Sequence, residues 1–214
     1  MNTASLIQTF YDYVDDQMAD YWGRDKVLRF LNRGQEEVFR SIEDGDDNYF
    51  TKCIEYSVTE NQTGELVFDL PSDFKRVVIA ERLTDDNPIP VRWVDFNRRH
   101  DTTDWPTIVI RGKVRPHCYL TGQYIGVINP PETYTLRVWY ANVIPELDSD
   151  DDVPQNIPAD FHELIALEAA KRAMATEGRR FMFQDIHERQ LASLQLMTKQ
   201  RQRQEPRTVH YVED

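Results

Sequence analysis

Residues 144–175 read Ile-Pro-Glu-Leu-Asp-Ser-Asp-Asp-Asp-Val-Pro-Gln-Asn-Ile-Pro-Ala-Asp-Phe-His-Glu-Leu-Ile-Ala-Leu-Glu-Ala-Ala-Lys-Arg-Ala-Met-Ala. The architecture turns on this stretch. A run of β-type sequence ends at Ile144-Pro145. An acidic, proline-punctuated crossing follows, from Glu146 to Pro158. An alanine-rich helix is then expected from about Pro158 to about Thr176. Pro158 is tolerated in a first helical turn, where its missing N–H would be unpaired anyway. Asp160 with Glu163 three residues later also reads as a capping pair, and either can set the start. Phe161, Leu164, Ile165, Ala169 and Ala173 recur at helical spacing. Ala166, Ala170 and Ala175 keep the rest of the circumference small. Small side chains let helices approach closely, which predicts the central helix of a packed bundle.

Working outward, the N-terminal residues supply partners for it. Leu6, Phe10, Val14 and Met18 step by four, predicting an amphipathic helix over about Ser5 to Met18, broken by Trp22-Gly23. A second helix is expected from about Arg24 to Asp44, with Val27, Leu31, Val38 and Ile42 on one face and Asp25 suited to its dipole. Gly45-Asp46-Asp47-Asn48 supplies turn chemistry at its end. Beyond Glu177-Gly178, Phe183, Ile186, Leu191, Leu194 and Met197 mark a fourth helix. Its periodicity fades over Lys199 to Gln204, and Pro206 forbids continuation. The expected bundle core is therefore Leu6, Phe10, Val14, Val27, Leu31, Val38, Phe161, Ile165, Leu191 and Leu194.

Between these helices the period changes to two. Ile54, Tyr56 and Val58 alternate with polar residues, as do Leu66, Phe68 and Leu70 across the Asn61–Gly64 turn, so the pair reads as a hairpin. Further strands are expected at Val77–Ala80, Ile89–Trp93, Thr107–Arg111, Cys118–Leu120, Tyr124–Ile128 and Tyr134–Tyr140. A helical turn fits Val94–Arg99. Thr121-Gly122 is a compact hairpin signal. The fold class expected is α+β: a helical bundle built from both ends of the chain (1–48 and 155–200). A small antiparallel β domain, sandwich or barrel, is inserted at 49–154 together with the acidic return, and residues 201–214 form a C-terminal arm.

Composition narrows function. The chain has 214 residues, 40% of them apolar, and a formal net charge of −12. It can bury a core. Its charge argues against sequence-independent duplex DNA binding, which needs clustered cations. No run of roughly 18 apolar residues spans a membrane, and Met1–Ser5 does not read as a secretion signal. Cys53 and Cys118 are expected to be small buried thiols.

There is no phosphate loop, nucleophile elbow or Cys-x-x-Cys pair. His162-Glu163 and His187-Glu188 open like zinc-protease motifs, but the i+4 positions are Ala166 and Leu191. Asp148, Asp150, Asp151 and Asp152 lack the glycine and closing glutamate of a calcium loop and read as a solvated, self-repelling segment, as do Asp44, Asp46 and Asp47. No catalytic residue, metal or cofactor is expected. Trp93, Trp105 and Trp139 could form a base or sugar platform, although aromatics in alternating strands more simply pair across strands.

Three segments carry a resemblance: Tyr119-Leu-Thr-Gly-Gln-Tyr-Ile-Gly-Val-Ile-Asn-Pro-Pro131, Ile157-Pro-Ala-Asp-Phe-His-Glu-Leu-Ile-Ala-Leu-Glu-Ala-Ala170, and Asp69-Leu-Pro-Ser-Asp-Phe74. Together with the helix–sheet–helix order, they resemble the head-to-tail adaptor (head-completion, connector) proteins of tailed bacteriophages. The resemblance implies a structural, non-enzymatic virion protein of the neck, assembled in the host cytoplasm. It implies a homo-oligomeric ring, twelve-fold by resemblance, that docks under the portal protein and receives a tail or nozzle protein. Genomic DNA would pass through the ring without sequence-specific binding. It also assigns ring packing to the helices and neighbour or tail contacts to the sheet. The arm carries Arg201, Arg203 and Arg207, then Val209, Tyr211 and Val212. By composition, docking and plain disorder stand level; the resemblance favours docking to the portal. The alternative reading is a β-domain binding module for single-stranded nucleic acid or glycan, acting through Trp and Tyr. An enzyme of unrecognised class stands behind both.

The bundle expectation has a direct test. Ile165→Asp places an unpaired carboxylate in the core and should cost several kcal/mol, on the order of 3–5. An unchanged thermal unfolding midpoint would refute a bundle built around this helix.

Overall fold

A computed structural model describes residues 1–16, 21–46, 48–61, 64–84, 87–100, 108–110 and 112–204; of 202–204 it describes the backbone only. The chain divides into two compact units, residues 1–50 with 144–214 and residues 51–143. Its class is α+β, as the sequence predicts.

Among the described residues the helical unit has four α-helices: α1 (Thr3–Val14), α2 (Arg24–Gly45), α3 (His162–Thr176) and α4 (Gln184–Gln204). Asn2 caps α1 by accepting from the Ser5 amide at 3.0 Å, the bond an N-terminal amide needs. The helix stops at Val14, short of the expected Met18. Asp15 turns left-handed at φ 57° and returns its N–H to the Tyr11 carbonyl. The Asp16 carboxylate then accepts from the Tyr21 and Trp22 amides. Trp22 is a core residue, not merely a helix breaker. It is 1% exposed and meets Phe10 and Phe30 edge-on.

α3 packs against α1, α2 and α4, and Leu164, Ile165, Ala166, Leu167, Ala169, Ala170 and Ala173 are all fully buried. A helix covered this completely has little amphipathic bias. Its contact with α2 is backbone-close: a Cβ built on Gly34 would lie 2.5 Å from the Ile165 carbonyl oxygen and 3.1 Å from the Ala169 nitrogen. Leu6, Phe10, Val14, Val27, Leu31, Val38, Ile165 and Leu194 are buried in this core, while Phe161 and Leu191 are partly buried against it. A short 3₁₀ turn, Ala159–Phe161, precedes α3, and no side chain caps either start. Glu163 therefore serves another purpose, described below.

The β unit comprises β1 (Thr51–Val58), β2 (Glu65–Asp69), β3 (Phe74–Arg82), β4 (Ile89–Pro90), β5 (Arg92–Trp93), β6 (Val109–Ile110), β7 (Lys113–Val114), β8 (His117–Thr121), β9 (Tyr124–Ile128) and β10 (Tyr134–Asn142). One sheet runs β1-β10-β3-β4, a second runs β2-β9-β8-β5, and β6-β7 form a separate ribbon. Neither large sheet closes. Val58, Ala80, Leu136 and Val138 from the first share one core with Leu70, Cys118, Ile125 and Val127 from the second, so the arrangement is a sandwich. Three expectations change. β1 and β2 do not form a hairpin: β1 pairs with β10 and β2 with β9. The link between them crosses from sheet to sheet, held by Asn61 N–H to the Pro130 carbonyl and Asn129 N–H to the Gly64 carbonyl. The expected strand Ile89–Trp93 divides at buried Val91, giving β4 to one sheet and β5 to the other, and β5 pairs with β8 in parallel. Cys53 is exposed rather than buried, because it shares the outward parity of Glu55 while Ile54 and Tyr56 turn inward. The expected strand Thr107–Arg111 is described only at Val109–Ile110.

Gly34→Ala measures the α2–α3 approach. In an open helix this change stabilises by about 1 kcal/mol. Here the methyl must push two backbones apart, and net destabilisation of about 1–3 kcal/mol is expected. An upward shift of the thermal midpoint would show that the helices have room.

Candidate functional site

The three segments that carried the resemblance prove to be places where the fold is tied together. In Tyr119–Pro131, Gly122-Gln123 makes the β8–β9 turn, one residue later than the expected Thr121-Gly122, with Gly122 at φ 55°, a conformation that favours glycine. Gly126 is bare because the Tyr119 ring lies on it; an added Cβ would sit 2.0 Å from the ring. The Tyr119 hydroxyl donates to Glu65 at 2.7 Å, and burial together with that bond pushes its pKa up to about 12. Phe96 lies 5.4 Å from the same ring, and Arg99 stacks on Phe96. In Asp69–Phe74, Asp73 accepts from Lys52 Nζ at 2.6 Å and from the Tyr140 hydroxyl at 3.1 Å. Burial alone would raise its pKa, but the Lys52 bond and charge hold it below the ordinary aspartate value.

The segment Ile157–Ala170 begins α3. The His162 ring donates from Nε2 to the Ile157 carbonyl at 2.9 Å. Glu163 accepts from the Tyr13 hydroxyl of α1 and from Gln190 Nε2 of α4, the latter at 2.8 Å. Glu168 meets Nε2 of buried His187 on α4 at 2.5 Å. Two carboxylates on one helix thus bind three helices together, and the histidines of both His-Glu pairs bond within the helical unit.

The acidic return is not a freely solvated loop. Asp152 accepts from the Asp148 and Ser149 amides at 2.9 and 2.7 Å, and these two bonds hold its pKa below the ordinary value. Its own carbonyl accepts from Thr3 N–H at 2.8 Å. Arg24 Nη2 donates to Asp150 at 2.6 Å. Asn32 brackets Leu147 through both its amide groups, and Gln35 donates to the Pro145 carbonyl. The return therefore runs with the helical unit. Asp46 likewise is 2% exposed, and its carboxylate accepts from the Asn48 amide.

The arm begins later than its composition suggests. α4 continues through Gln204, so Arg201 and Arg203 lie within it. The Arg201 guanidinium stands 4.3 Å over the Tyr49 ring, and its Nε is 3.9 Å from Asp46 Oδ2. Arg207, Val209, Tyr211 and Val212 lie outside the described residues, as does Trp105. Trp93 belongs to the second sheet, whereas Trp139 lies on the outer face of the first between Cys53 and Ile79. The structure does not gather these two into one platform. Among the described residues, no three His, Cys, Asp or Glu side chains group as metal ligands, and no helix is long and apolar enough to cross a membrane.

The family model of the SU10 adaptor protein matches residues 1–210, spanning both units. The chain belongs to the SU10 adaptor protein family. It is thus a structural adaptor of a phage virion, interacting with other head and tail components. No match to a curated protein accompanies the family match. The resemblance read from sequence agrees with this membership at the level of a phage adaptor. The missed signals in this adaptor were Glu163 and Glu168, which bracket the apolar run Leu164–Leu167 and tie it to separate neighbours.

Asp152→Ala should release the acidic turn. Amide exchange at Asp148 and Ser149 is expected to accelerate while the thermal midpoint changes little. Because the folded pKa of Asp152 is lowered, its contribution is complete above the ordinary aspartate value of about 4 and fades as pH falls through the folded pKa. Wild-type protection at the two amides should therefore decline in acid, and the variant should show no such step.

Proposed function

We propose that this adaptor forms a homo-oligomeric ring in the neck of the virion, docks under the portal protein, extends the DNA channel and receives the tail or nozzle protein. The observation that carries the reading is the family match over nearly the whole chain. The task is association rather than catalysis, and the ties described above serve rigidity. A net charge of −12 suits a channel wall that repels DNA instead of holding it. A ring calls for a heterologous interface, in which one patch meets a different patch of the neighbour.

Within this reading the C-terminal arm is the portal contact. Arg203 and Arg207 offer charge-assisted bonds to an acidic rim, and Val209, Tyr211 and Val212 supply apolar anchors. Tyr211 carries the largest contact area. Arg201, held at Tyr49 and Asp46, sets the base from which the arm leaves.

Deleting Glu205–Asp214 tests the assignment. Folding should survive, since these residues follow α4. Attachment to portal-bearing capsids should weaken, giving filled heads that leak or lack tails. Undiminished attachment of the truncated adaptor would move the portal contact to the helices or the sheet.

A further inference from the structure

α2 presents two unlike surfaces. One side, through Arg24, Asn32 and Gln35, holds the acidic return. Roughly 140° around the helix, by its 100° step per residue, Lys26, Arg29 and Arg33 form a cationic stripe. With Phe30 they line a shallow cavity of about 170 Å³. These cations are weakly used within the chain. Lys26 stacks on Trp22 and reaches Glu177 only at 3.8 Å. Arg29 bonds a carbonyl of its own helix at 3.3 Å. Arg33 is exposed and makes no ion pair among the described residues. On the other side, the return exposes Glu146 and Asp151, which make no ion pair among the described residues, and beside them Val153 is 50% exposed.

We propose that the acidic return of one copy docks into the Lys26–Arg29–Arg33 groove of the next, as the charged contact of the ring. This rests on the ring reading above. Charge complementarity selects the occupant: the return is a pre-formed acidic loop with an adjacent exposed valine, and the groove is cationic with an apolar floor at Phe30. The placement selects the symmetry. Donor and acceptor patches on different sides of one helix cannot satisfy each other across a two-fold axis in a single contact. They propagate head to tail, which is the interface type that closes rings. The contact is solvent-accessible at its rim, so it weakens with ionic strength.

A charge swap tests the pairing. One variant carries Arg29→Glu with Arg33→Glu; the other carries Glu146→Lys with Asp151→Lys. Both should keep the wild-type thermal midpoint. By sedimentation velocity, wild type at high concentration and low salt should associate. Each variant alone should lose at least tenfold in association constant. An equimolar mixture should recover it, because each reversed patch then meets its complement. Variants that associate like wild type, or a mixture that stays dissociated, would overturn the pairing. So would a groove variant that keeps self-association but loses duplex-DNA binding in a mobility assay, which would assign the groove to phosphates. Attachment to portal-bearing capsids separates the two levels. If every variant still assembles there as wild type does, only the pairing fails. If wild type itself neither associates nor attaches, the ring reading fails with it.

Discussion

The helical unit depends on one close approach, the backbone of α2 against that of α3 at Gly34, Ile165 and Ala169. Once two helices touch without side chains between them, α3 is sunk among its neighbours. Residues that would ordinarily face solvent must then be small or be tied. Ala166, Ala170 and Ala173 meet the first demand, and Glu163 and Glu168 meet the second. A buried carboxylate without a partner would be costly, so Tyr13, Gln190 and His187 follow from the same contact. Gly45 repeats the device at the far end of α2, where a Cβ would lie 2.1 Å from Thr198 Oγ1 of α4.

What was legible in the sequence follows from what periodicity encodes. The steps of α1 and α2 disclosed their buried faces, because helical spacing reports orientation toward a core directly. The alternation of β1 and β10 disclosed strands, but alternation names a face and not a partner. The false hairpin of β1 with β2 came from that gap. Cys53 was misplaced although its parity with Glu55 already put it outward. α4 outran its apolar pattern because Thr198 and Arg201 continue the packing with polar atoms, against Gly45 and against Asp46 with Tyr49. The early end of α1 depends on a left-handed aspartate, Asp15, whose conformation no neighbour in sequence demands. The ties made by Glu163 and Glu168 were hidden because their partners lie on other helices.

The acidic return shows how charge and order can coexist. Asp152 turns its carboxylate on two amides, Asp150 meets Arg24, and backbone bonds to Thr3 and Ala4 fasten the loop to the start of α1. The remaining carboxylates are thereby displayed on a fixed frame instead of a moving chain. A fixed display loses less conformational freedom on meeting a partner. For an adaptor, whose work is recognition between structural parts, such pre-organisation matters more than any reactive group.

The pairing of β1 with β10 has a further meaning for how the chain finds its fold. These strands are the first and last of the β unit, and Thr51 lies opposite Ala141. A guest that begins and ends on neighbouring strands returns the chain near its point of departure. To the host helices, the folded insert is then equivalent to a short connector. Loop-closure entropy, which would otherwise separate α2 from α3 by the whole insert, is largely settled when the guest strands zip. The host can therefore accept changes in guest length or loop content as long as this one ladder is kept. The terminal pairing is in effect the clasp of the insertion, and the closure it gives does not depend on the loops between the other strands.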